Sequence, residues 1–491
     1  MSIAETNPMN RLLFRSRRGA LVTLLAIAGS VTTITACSNL TEPLLEAKDP
    51  DPINPAAVLN ADGAIGLYNG AIGRLRAATA STDTSLQEPT WLFSGLLADE
   101  WSTSSTFIQN DEVDQRNIKL DNSSVRNIFR SLARVRTASN QAILGLTTFV
   151  AADKAKIGEM YFARGFAEMQ LAQDFCNGIP LSDASTPVLV LGTPLSVAEV
   201  FARAIASYDS ALALVPSTDT ASASVAINRA ARVGKARALL GLNRAAEAAL
   251  LVPATAVPTS YTYDITHSVV GGSNAIWGQG ASQRRYTLSD SLEGNARNLL
   301  VKNVIPFFSL KDPRLPSRYT VSVNAKDTTK RDTTKSQDGF VFSRTTTLYG
   351  QLTNVPIVNG IDARLVEAEA KLKAGDYAGM NTILNALRAT PPKVGEIQAT
   401  AAQLPALAAP ASQAAAEEQF FREKAFWTFS RGQRLGDLRR LIRDYPGHTP
   451  ANTFPSGTHY RGGPYGPDVN LPVPYDETTN LNFKGCTNRD A

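Results

Sequence analysis

The chain is poor in the residue types that most often carry chemistry: three histidines and three cysteines among 491 residues. His267, His448 and His459 fall in no HExxH or paired-ligand spacing, which excludes the common helix-borne zinc sites. His448 and His459 read as solvated loop residues of a Gly/Pro-rich tail. Three cysteines are too few for a disulfide-stapled small scaffold. There is no CxxC, GxSxG or Walker loop, and Gly278-Gln279-Gly280 lacks the third glycine of a dinucleotide fingerprint. The neighbouring carboxylates Asp99-Glu100 and Glu417-Glu418 diverge, whereas a glycosidase needs two that face each other across a cleft. No enzyme activity, cofactor or metal is therefore expected. Uninterrupted apolar runs of bilayer-spanning length are also missing. The hydrophobic share of 43% and charged share of 19% exclude extended disorder, and 27 prolines with 33 glycines exclude a continuous coiled coil.

The amino-terminal 37 residues have the layout of an export signal. Arg11, Arg15, Arg17 and Arg18 precede an apolar run from Ala20 to Ala28, too short for a membrane span. Ile34-Thr35-Ala36-Cys37 looks like a bacterial lipobox, with Cys37 as the residue that takes the lipid. Two or three acyl chains anchor a protein almost permanently, at about 0.8 kcal/mol per buried methylene. Loss of residues 1–36 removes four arginines and one glutamate, so the net charge falls from +5 to +2. A near-neutral surface argues against nucleic acid as a partner. Residues 37–55 carry Pro43, Pro50, Pro52 and Pro55 and suit a tether between membrane and body.

The body reads as an all-α scaffold of helix pairs. In 196–216, Val200, Ala204, Tyr208, Ala211-Leu212 and Val215 recur at helical spacing and Pro216 ends the run. This spacing is similar to the second helix of a tetratricopeptide repeat. Residues 227–251 and 362–387 repeat the theme, with a turn at Gly375-Asp376, and 125–146 with 154–175 form another pair. Stacked pairs bury one continuous core. The expected organisation is signal peptide 1–36, tether 37–55, helical repeats 56–260, an irregular loop-rich insertion 261–355, further repeats 356–445, and a Pro/Gly-rich tail 446–491 that wraps the surface. In an oxidising compartment Cys176 and Cys486 can pair, which spacing alone does not decide.

Several segments, taken in order, resemble the SusD/RagB family of outer-membrane lipoproteins. They are the lipobox, Gly158–Phe166 leading to Asn177-Gly178-Ile179-Pro180-Leu181, and Lys311-Asp312-Pro313-Arg314. Arg364–Ala370, Arg422-Glu423 through Trp427, Arg431–Leu441 and the closing Leu471-Pro472-Val473-Pro474-Tyr475 complete the series. The chain departs from the family at Cys176-Asn177-Gly178, where two glycines are usual, and in the alanine-rich stretch 399–416. The resemblance implies a surface lipoprotein that captures a glycan, or another oligomer such as a peptide, for a SusC-type TonB-dependent outer-membrane transporter. A tetratricopeptide lipoprotein scaffold of an outer-membrane assembly machine is the alternative, and the long irregular insertion counts against it. Arg434, Asp437 and Arg439 are expected to be framework ion pairs or caps.

Sugar rings pack on flat aromatic faces while their hydroxyls need a few polar partners. The resemblance directs attention to the loop after the second helix and to the insertion. The ligand-binding candidates there are Trp101 with Asp99 and Asn110, and Trp277 with Arg284, Arg285 and Tyr286. Trp91, in an apolar run, reads as core. Flanking polarity leaves Trp101 and Trp277 open between core and surface.

Overall fold

The computed structural model describes residues 59–81 and 88–491; the signal segment, Cys37 and the tether 37–55 lie outside them. Twelve helices organise the described chain: α1 (Ala61–Thr79), α2 (Thr90–Leu97), α3 (Ile108–Asp114), α4 (Ser123–Phe149), α5 (Lys154–Asp174) and α6 (Val197–Leu214), followed by α7 (Ser222–Gly241), α8 (Ala245–Leu251), α9 (Gly360–Lys373), α10 (Tyr377–Ala389), α11 (Gln413–Trp427) and α12 (Arg434–Asp444). The fold is mostly helical. Helices α1 and α4 through α10 stack in succession, each on the next, as four pairs; α11 packs on the last pair, α9 and α10, and α12 reaches back to α2 and α5.

Local chemistry sets the ends of these helices. Ser196 caps α6 in a reciprocal box with Glu199, and buried Val200, Phe201, Ala204, Tyr208 and Ala211 form its inner stripe. Asn359 and Asp362 make the same box at α9, and Asp376 caps α10 just after the turn at Gly375. Small residues let the stack close tightly. A Cβ on Gly234 would sit 2.5 Å from the Tyr208 ring, so glycine is required where α7 crosses α6.

The irregular middle contains more regular structure than its sequence shows. Short antiparallel strands of two to five residues run from Thr262–Ile265 to Val355–Asn359, and these two outer strands pair with each other. The two ends of the insertion are thereby stitched together beside the fourth helix pair. The alanine-rich stretch contributes a single turn at Ala401–Gln403, then runs without regular structure into α11 at Gln413.

The tail also departs from expectation. It does not simply wrap the surface: Phe454, Leu471 and Val473 are buried in the main core. The Leu471 amide donates to the Asp174 carbonyl and the Cys176 amide donates back to Leu471, so the tail lies along the end of α5. Cys176 and Cys486 form a disulfide there, with Cα atoms 5.8 Å apart. His459 is buried, with Nε2 3.0 Å from Asp114 and Nδ1 3.2 Å from the Gln115 amide. His448 is half-buried beside Glu417. Neither is a freely solvated loop residue, because the tail is drawn into polar notches in the body.

A charged frame ties the distant motifs together. Arg314 of the Asp-Pro-Arg segment and Arg388 of α10 both bind Glu423 of α11, at 2.7 and 2.8 Å. Arg431 pairs with Asp362 at 2.7 Å, and Asp437 with Lys424 and Arg440 at 2.6 and 2.7 Å. Arg439 has a different task. It donates to the Ala172 and Gln173 carbonyls and so caps the end of α5.

Candidate functional site

The two stretches singled out in the sequence meet in space. Strand Trp101–Thr103 pairs antiparallel with Tyr286–Leu288, aligning Trp101 with Leu288 and Thr103 with Tyr286. The named side chains, however, point inward. Trp101 is 1% exposed, donates from Nε1 to Ser430 Oγ at 3.0 Å, and packs edge-on to Tyr286. Tyr286 is fully buried and donates to Glu88 at 2.7 Å while accepting from Asn110 at 3.2 Å. Asp99 receives both Arg434 nitrogens, at 2.6 and 2.9 Å, and the Ile305 amide. Trp101, Tyr286, Asn110 and Asp99 therefore form the frame beneath a surface, and the expectation that they face a ligand is corrected.

Burial explains their electrostatics. Removal from water raises the Glu88 carboxyl, with the Tyr286 hydroxyl and then Arg285 pulling it back down. The Tyr286 phenol is raised well above its ordinary range, first by burial and then by the neighbouring Glu88.

The surface over this frame is made by the loop beyond Thr103. The Ser104 amide and hydroxyl bind the Arg285 and Arg284 carbonyls, each at 2.9 Å. The Gln337 amide donates to the Arg284 carbonyl and the Asp338 amide to the Ser104 carbonyl. Arg461 of the tail donates to the Ser105 carbonyl and to Asp338, and lies 3.1 Å from Asp111. Four segments of the chain thus converge on one rim.

Two exposed aromatics stand on that rim. Phe107 is 41% exposed and Phe340 is 57% exposed. The Arg285 guanidinium lies 4.3 Å from the Phe107 ring centre, and the Arg461 guanidinium lies 5.1 Å from that of Phe340. Such stacking holds each ring in place while part of its surface stays open to water. Arg284 is half-buried at a positive φ of 58°, and its Nε is buried without a partner among the described residues. Asp111, beneath Arg461, has its carboxyl pushed up to about 6 by burial, with Arg461 opposing the shift. Trp277 is half-buried on the π-helical turn Ile276–Ser282.

Of the sequence candidates, Arg284 and Arg285 reach the rim, and Phe107, Phe340, Asp338 and Arg461 join them. Phe107 carries no sequence signal of exposure, because nothing in its local pattern separates it from a core aromatic. Phe340 and Arg461 lie far from either candidate stretch in the chain. Among the described residues no group of three or more His, Cys, Asp or Glu side chains is arranged to hold a metal, and no helix is long and apolar enough to cross a membrane.

Comparison with protein-family models finds no match, and neither does comparison with curated proteins. Solved structures do match. A SusD-like carbohydrate binding protein from Bacteroides fragilis aligns with a TM-score of 0.59 at 15% identity, covering 87% of this chain and 99% of its own. A SusD/RagB family protein from Bacteroides thetaiotaomicron gives 0.59 at 12% identity, over 85% and 94%. A SusD superfamily protein from Bacteroides vulgatus gives 0.56 at 16%, over 87% and 98%. The chain has the SusD fold. The alignments span nearly the whole length of the SusD-like chains and most of this one, so the likeness is to the whole fold and not to one segment of it.

Proposed function

We propose that this chain is a SusD/RagB-type nutrient-capture lipoprotein. In this reading it is held to the outer membrane through Cys37, faces the cell exterior, and passes a glycan to a SusC-type TonB-dependent transporter. The observation that carries the binding role is the rim: two exposed phenyl rings, each steadied by a guanidinium, lie among Arg284, Asp111 and Asp338. Sugar rings offer apolar C–H faces to aromatic rings and hydroxyls to charged donors and acceptors, and this surface supplies both. A carbohydrate ligand is favoured over a peptide because two of the similar solved proteins, one from Bacteroides fragilis and one from Bacteroides vulgatus, are described as carbohydrate binding and putative sugar binding.

The chain acts here by binding, not by turnover. Protein lacking residues 1–36 is titrated calorimetrically with a panel of soluble oligosaccharides, and each mixture is then analysed for cleavage. Saturable heat with an unchanged ligand supports the reading; released product defeats it. Delivery has its own measurement. Affinity-tagged full-length protein, extracted in mild detergent from the native outer membrane, should bring down a large β-barrel transporter, and its reproducible absence would contradict the partnership.

A further inference from the structure

A separate concavity, which shares no lining residue with the rim, lies between α11, α12, the turn 303–306 and the tail near His448 and Asn452. Its volume is about 390 Å³, within the roughly 300–1,000 Å³ usual for small-molecule sites. The floor is aliphatic, from Ile305, Leu438 and Leu441. Phe421 borders the same floor and, like Leu438 and Leu441, shows only an edge of its side chain, at 3% exposure against 1% and 7%. One wall is polar and already satisfied: Glu417 accepts from Gln413 at 2.8 Å and lies 3.1 Å from His448 Nε2.

The mouth differs from the wall. Glu418 and Arg422 stand one helical turn apart on α11, both exposed and both lining the concavity. Among the described residues neither is engaged in an ion pair. An anionic and a cationic group set over an aliphatic floor match a small zwitterion with an apolar body. We propose that this concavity binds a free apolar α-amino acid. Its ammonium group meets Glu418, its carboxylate is forked by Arg422, and its side chain lies on Ile305, Leu438 and Leu441. A polyol would leave the floor unmatched, and a residue inside a peptide has neither charge.

Calorimetric titration of the protein lacking residues 1–36 with L-leucine and L-phenylalanine, against N-acetyl-L-leucine amide as the uncharged control, tests the assignment. The expected result is saturable binding of the free amino acids, weakened at least about tenfold in Arg422→Ala and in Glu418→Ala and for the blocked amide. Both substitutions are at exposed positions, so circular dichroism should show an unchanged fold. Binding should also persist in the Phe107→Ala/Phe340→Ala double variant, which separates this site from the rim. No saturable heat with either amino acid overturns the proposal. So does binding by Arg422→Ala or Glu418→Ala as tight as the parent's, or loss of binding in the rim variant.

Discussion

At the scale of single residues, the side chains that hold the site differ from those that face outward. Polar flanks suggest an exposed Trp101, yet Ser102, Thr103 and Ser104 are buried because Glu293, Asp111 and the Arg284 carbonyl satisfy their hydroxyls. Sequence polarity reports the need for a partner, and that partner here is the protein itself. Phe107 and Phe340 should accordingly matter for ligand and little for folding. Replacing both by alanine is expected to weaken oligosaccharide binding by about 5- to 150-fold, from roughly 0.5–1.5 kcal/mol per aromatic contact, with an unfolding free energy within about 0.5 kcal/mol of the parent. Paired calorimetry and urea denaturation measure the two effects. Arg434 should behave in the opposite way. Arg434→Ala leaves Asp99 charged and buried, and the expected loss is about 3–5 kcal/mol of stability, read from the urea midpoint.

Glu100 adds a pH dependence. Its carboxyl is pushed up to about 8, mainly by burial, while the Ser430 amide opposes the shift. The folded chain thus retains a proton that the unfolded chain releases near 4.3. Because the folded pKa is the higher one, ionisation penalises the native state, and stability falls as pH rises from about 4.5 towards about 8. Asp174, raised to about 7 by burial, acts in the same direction. Glu100→Gln removes the larger of these titrations. Denaturation across that pH range should show a shallower decline for the variant, and an identical slope would refute the assignment.

At the scale of elements, legibility follows the range of the interactions. The helix pairs can be read because their period, caps and turns lie within a few residues of one another: Ser196 with Glu199, Asn359 with Asp362, Gly375 before Asp376. The strands cannot, because each has two to five residues and partners such as Trp101 and Leu288 lie far apart in the chain. A pleated period needs a longer run to show itself. The tail is illegible for a related reason, since seven prolines and six glycines mask Phe454, Leu471 and Val473 as core residues. Its attachment is testable. Cys486→Ser should lower stability by about 2–4 kcal/mol and expose the tail to limited proteolysis, whereas reductant should have no effect on the variant. The link from α11 to α12 turns on Gly432, at φ +64°, where a Cβ would fall 2.1 Å from Trp91 Cδ1. Gly432→Ala should therefore destabilise or fail to fold, by backbone strain and overpacking together.

At the scale of the whole molecule, the motifs that resemble the SusD/RagB family are largely framework. Arg314, Glu423, Asp362, Arg431 and Asp437 lock the insertion, the fourth helix pair and the closing helices into one body. Architecture was therefore legible in the sequence, because the residues that fix it fall in recognisable strings. Ligand contacts were not, because Phe107, Arg285, Phe340 and Arg461 come from four segments that only the finished fold brings together. A packed frame that presents a loop-built rim suits a body whose task is capture. The most direct measurement is a calorimetric titration of the protein lacking residues 1–36, parent beside Phe107→Ala/Phe340→Ala, against soluble oligosaccharides, followed by product analysis. The expected result is saturable binding by the parent, its loss in the variant, and intact sugar in both. Failure of every oligosaccharide to bind, equal binding by the two proteins, or appearance of cleaved product would contradict glycan capture at this rim.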